Sequence, residues 1–132
     1  MIEKDPTFRG NIVFVLKDLV RLLCSAPLSV ADVRQKLVKL GVSASVETAP
    51  GKDEPAFVRL ELPVGIGLTL ETLAQEFGPY KQLPSMHRGK AIKYIYYVDL
   101  PEMPFVCALI ADQRREASTI ETVTVRRDIR LN

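Results

Sequence analysis

The sequence predicts an α+β fold, with two or three helices packed on one face of an antiparallel sheet. Three observations carry this expectation. Residues 67–80 read as a short helix with a start signal and a stop signal. The segments beyond it alternate apolar and polar residues at the period of half-buried strands. The nine prolines fall mostly between the patterned segments rather than inside them.

The short helix is the most legible element. Thr69 suits the N-cap, where a hydroxyl accepts from an orphan backbone N–H of the first turn. Leu68 and Leu73 occupy the two positions of a hydrophobic staple. Leu70, Leu73, Ala74 and Phe77 follow the spacing of one buried helical face. Glu71 lies in the first turn, where the helix dipole favours an anion. Gly78 can end the helix in a positive-φ conformation and Pro79 prevents its continuation.

The 132 residues suffice for one domain with its own core. The net charge is +2, and each half, cut at residue 66, carries nine basic and eight acidic residues. No charge asymmetry therefore points to a polyanion. No apolar run reaches membrane-spanning length. The segment 12–24 is interrupted by Lys17, Asp18 and Arg21, which makes it a poor export-signal core. Leu23 is too large for the position before a lipid-bearing cysteine. The chain as written reads as cytoplasmic, or as periplasmic or secreted if an export signal has been removed. Cys24 and Cys107 both lie in apolar stretches and are expected as buried thiols. Spacing does not report geometry, so a disulfide stays open at this stage.

In chain order, residues 1–10 read as a lead-in and Asn11 as the cap of a first helix. Ile12, Val15, Leu16, Leu19, Leu22 and Leu23 give that helix a wide apolar face, which must meet either the core or a partner. Its β-branched start also permits a strand over 12–16. Pro27 ends it. A second helix is capped by Ser29 with Asp32 three residues on, and Leu28 and Val33 form its staple. Val30, Val33, Leu37 and Leu40 make its inner face, and Gly41 stops it. Leu28-Ser29, Val33, Gln35 and Leu37 match Leu68-Thr69, Leu73, Gln75 and Phe77 at a constant offset of forty. Either the chain is a single domain over 1–132 or it holds two related units, 11–62 and 67–130; shared helix grammar alone could produce the match.

Val42, Ala44 and Val46 alternate with polar residues as in a strand, and residues 49–55 form a turn-rich connection. Val58, Leu60 and Leu62 share one face of the next strand, with Arg59 and Glu61 on the other. Tyr80–Leu83 suits a short strand and residues 84–90 a loop. In Ala91–Leu100, Ile92, Tyr94, Tyr96 and Val98 share one face, with Lys93, Ile95, Tyr97 and Asp99 opposite. Residues 101–104 turn the chain. Phe105–Ala111, apolar on both faces, suits a central strand. Residues 112–118 read as a polar turn and Thr119–Ile129 as the last strand, with Val123, Val125 and Arg127 on one face. Beyond the short helix, three or four strands in meander order are expected to form an antiparallel sheet covered on one side by helices.

Several of these features together resemble a known pattern. They are Gly67-Leu-Thr69, the short helix, Phe77-Gly-Pro79, a strand with Tyr94, Tyr96 and Tyr97, an apolar strand and a final Val-x-Val strand. Residues 66–129 resemble the BamE/SmpA lipoprotein family and the wider group with the beta-lactamase-inhibitor-protein-like fold. The resemblance implies a helix-plus-antiparallel-sheet module that binds proteins or serves in envelope assembly. The chain departs from it in lacking a lipid-attachment cysteine behind a proper signal, in having no Trp, and in its helical N-terminal half.

The best surface candidate is an acid-free run of thirteen residues holding Lys81, His87, Arg88, Lys90 and Lys93, with Tyr80, Tyr94 and Tyr97 beside it. Six residues make the predicted binding site: His87, Arg88, Lys90, Lys93, Tyr94 and Tyr97. The favoured partner is another protein, engaged through the exposed sheet face or the loop 85–90. Nucleic acid is the alternative, because cations interleaved with aromatics can hold phosphates and stack bases. The bland reading is a solvated hairpin loop beside half-buried tyrosines. Arg114-Arg115 and Arg126-Arg127 read as solvated charge on a sheet edge. The order helix, helix, strand, strand over 11–62 also suits a winged helix, but the alternation at 42–48 stands where a recognition helix belongs. His87 is the single histidine and has no neighbouring nucleophile or carboxylate motif, so no catalytic role is expected. One histidine and two separated cysteines make no zinc site, and Gly65-x-Gly67 is no phosphate loop. No metal or cofactor is expected.

Overall fold

A computed structural model describes residues 8–25, 28–40, 44–48, 55–62, 65–83, 91–114 and 117–129. Three helices, α1 (Phe8–Cys24), α2 (Val30–Leu40) and α3 (Leu70–Phe77), accompany six strands. The strands are β1 (Ala44–Thr48), β2 (Pro55–Glu61), β3 (Tyr80–Gln82), β4 (Ala91–Val98), β5 (Phe105–Arg114) and β6 (Thr122–Ile129). All pairs are antiparallel, in one sheet of order β1-β2-β6-β5-β4-β3. The α+β class is as expected, and each of the six segments read as a strand contributes to the sheet. β3, β4, β5 and β6 neighbour one another in chain order, as the expected meander requires, and β6 also pairs with β2, so strands from both halves of the chain share one sheet.

The helices form where local chemistry favours them. In α2 the capping box is complete: the Asp32 N–H donates to Ser29 Oγ and the Ser29 N–H to Asp32 Oδ2, each at 3.2 Å. Ser29→Ala is expected to cost about 1 kcal/mol, read as a lowered urea midpoint, because the Asp32 N–H loses its fixed acceptor. In α3 Thr69 accepts from the Thr72 N–H at 3.2 Å. Gly78 ends the helix at φ 96°, with its N–H on the Ala74 carbonyl at 2.9 Å. A side chain would strain that backbone conformation.

α1 differs from its reading at one end. It starts by Phe8, so Asn11 is helical rather than a cap, and residues 12–16 are helix rather than strand. Its inner face (Ile12, Val15, Leu16, Leu19, Val20, Leu23 and Cys24) is buried over β5 and β6, while Phe14 stays 63% exposed. The wide apolar face is therefore core. Full burial of leucines such as Leu16, Leu19 and Leu23 stabilises by about 2 kcal/mol each. α2 lies against β1 and α3 against β4. Exposed ion pairs, Lys17 with Glu76 and Lys36 with Asp18, link the three helices and add little. None of the described helices is long and apolar enough to cross a membrane.

All three helices cover the same face. One row on that face runs Tyr80, Tyr96, Leu109, Val125, Val58, Val46 from β3 to β1. The next runs Gln82, Tyr94, Ala111, Val123, Leu60, Ala44. Leu109, Val125, Val58, Val123 and Leu60 are buried under the helices. β5 runs to Arg114, so residues 112–114 are strand and not the expected turn. β6 is interior, so Arg126 and Arg127 do not line an edge as the sequence suggested. At 44–48, after α2, the chain is strand, as the alternation predicted.

Candidate functional site

Side chains alternate across a strand, so each residue between two core residues points to the other face. Three rows cross that face. Tyr97, Ala108, Arg126, Phe57 and Glu47 are in register from β4 to β1. Lys81, Ile95, Ile110, Thr124, Arg59 and Ser45 form the second row, and Lys93, Asp112, Thr122 and Glu61 the third. No helix among the described residues lies on this side. Tyr97 is 64% exposed, and Phe57, Ile110, Thr124 and Arg126 are half-buried. Ala108 is a small residue between Tyr97 and Arg126 and leaves room for both larger side chains to lie across it.

The predicted site residues divide between the two faces. Lys93 and Tyr97 share the open face. Lys93 Nζ sits 2.9 Å from Asp112 Oδ1, so its charge is already matched. Tyr94 belongs to the helix-covered face, where its ring meets Tyr80 edge-on at 5.5 Å; Tyr80 in turn lies 5.3 Å from Tyr96. The Tyr96 hydroxyl donates to the Leu70 carbonyl at 2.9 Å and ties β4 to the start of α3. Burial holds the Tyr96 phenol well above its usual range, and the neighbouring Tyr80 and Glu71 push the same way. Tyr94 and Tyr97 therefore make no joint platform. His87, Arg88 and Lys90 lie outside the described residues, as does Arg115.

The other basic residues have separate tasks. Arg114 pairs with Glu121. Arg127 turns to the helices: its guanidinium donates to the Ser25 carbonyl at 3.0 Å and lies 3.6 Å over the Phe105 ring. Arg126 faces the open side. Counting the three rows, Lys81, Lys93, Arg59 and Arg126 stand among Glu47, Glu61 and Asp112, so the face carries both signs.

Reading the sequence missed Phe57, Ile110 and Arg126 as members of this surface. The alternation gives each residue's face, but only the strand order aligns β6 with β2 and brings Phe57 beside Arg126.

Two open grooves flank the sheet. One, of about 420 Å³, is lined by Lys17, Val20 and Arg21 of α1, by Glu76 and Phe77 of α3, and by residues 97–100, so Tyr97 also borders it. The other, of about 480 Å³, lies beside Gly65-Ile66-Gly67 and is crossed by Arg114 and Glu121. Among the described residues no group of three or more His, Cys, Asp or Glu is placed to hold a metal ion. No protein-family model matches the chain, and no curated protein or solved structure does.

Proposed function

We propose that the chain is a non-enzymatic module that binds another protein through the open face of its sheet. The observation that carries this reading is Tyr97: a large aromatic, 64% exposed, in one row with Arg126 and Phe57 on a face that the described helices leave bare. Tyrosine and arginine are the residues that interfaces concentrate at their energetic centres. The mixed charges around them set orientation and exclude wrong partners rather than attract a polyanion. The resemblance of residues 66–129 to the BamE/SmpA group points the same way. A nucleic-acid surface needs several cations facing phosphates. On this face Lys93 is instead tied to Asp112.

Capture from nuclease-treated lysate tests the reading. Wild type is compared with Tyr97→Glu and with Arg88→Glu/Lys90→Glu. Tyr97 is exposed, so its replacement should change stability by no more than about 1 kcal/mol, checked by urea unfolding. The expected result is a specific protein retained by wild type and lost at least ~10-fold with Tyr97→Glu, the loss of one interface anchor. Loss only with the double variant would move the surface to the 85–90 loop. Capture that appears only when nuclease is omitted, and that weakens steeply with salt, would replace the protein partner by nucleic acid.

A further inference from the structure

The last turn of α1 comes down on the middle of the sheet and sets two sulfurs against each other. Cys24 and Cys107 are both buried, and their Sγ atoms are 3.1 Å apart across a sequence separation of 83. Cys107 Sγ also lies 3.7 Å from the Val20 carbonyl, one helical turn before Cys24. Arg127 stands opposite Cys107 in the ladder and donates to the Ser25 carbonyl, which fixes the end of α1 beside the pair. Cysteines whose Cα atoms lie more than about 7 Å apart cannot bridge without backbone movement. Here the sulfurs themselves are about 1 Å from bonding distance.

We infer that Cys24 and Cys107 are a site of oxidative modification, closing to a disulfide that clamps α1 to β5. The oxidant is a disulfide donor by chemical class. One cysteine thiolate attacks a donor sulfur, and the donor's other sulfur leaves as a thiolate. The second cysteine thiolate then attacks the mixed disulfide, forms the Sγ–Sγ bond and expels the remaining donor thiol. Two protons leave the cysteines, and two electrons reduce the donor disulfide to two thiols. Both sulfurs are buried, so exchange takes place while the chain folds or while α1 is lifted. Once closed, the bond lies in the core, shielded from reductant.

Refolding the full chain in oxidised and reduced glutathione tests this, with intact mass and a non-reducing peptide map as readouts. The expected product has lost two hydrogens, shows one cross-linked pair containing Cys24 and Cys107, and carries no glutathione. Its urea midpoint should exceed that of the reduced protein by ~1–2 M, because the long loop is constrained in the unfolded chain. That redox-dependent shift should vanish in Cys24→Ala/Cys107→Ala. The mass and map of wild type decide the matter alone if the double variant does not fold. Two intact thiols under oxidising conditions, glutathione held on either cysteine, or linkage only between chains would each overturn the inference.

Discussion

Leu109→Ala is expected to lower the unfolding free energy by about 3–4 kcal/mol, and Ile110→Ala by only about 1 kcal/mol. The two residues are neighbours on β5 with similar side chains, but they face opposite ways. Leu109 is fully buried, in register with Tyr96 on one side and Val125 on the other. Removing it opens a cavity that a close-packed interior cannot collapse. Ile110 is half-buried on the face without helices, where water fills the vacated space. Urea unfolding of both variants measures the difference. Equal costs would mean that something covers both faces of the sheet, and the binding surface proposed above would be lost with that result.

Tyr96→Phe is expected to cost about 1–2 kcal/mol near neutral pH and to blunt the loss of stability in alkali. The neutral-pH cost arises because the Leu70 carbonyl loses the hydroxyl that donates to it. The alkaline effect follows from the raised pKa of the buried phenol. Unfolded, a tyrosine loses its proton near pH 10, while the native phenol keeps it. Above that pH the unfolded chain binds fewer protons than the native one, so stability falls as pH rises. The contribution is whole below about pH 10 and is progressively lost above it. Urea midpoints followed from neutral pH upward should therefore show the gap between wild type and variant narrowing once pH passes about 10. A constant gap would show that Tyr96 ionises as an exposed tyrosine does.

Local chemistry made much of the fold legible. The caps at Ser29 and Thr69, the stop at Gly78 and the two faces of Ala91–Val98 depend on groups within a few residues of each other, and all stand in the structure as read. The start of α1 did not, because Asn11 is a good cap that the helix nevertheless runs through. The candidate site was only partly legible. Tyr97 and Lys93 were placed on a common face by alternation, but Asp112, read as a turn residue, is the strand partner that matches the Lys93 charge.

By itself the sequence determined the α+β class, the place of α2 and α3, and the inward and outward residues of most strands. Those follow from periodicity and from caps, which are short-range. Tertiary structure alone decided that β6 enters between β2 and β5, that α1 belongs to the core, that Arg127 reaches the Ser25 carbonyl, and that Cys24 meets Cys107. Each of these is a contact between distant parts of the chain. Such contacts are selected by how all the apolar faces are buried at once, and no local pattern records that choice.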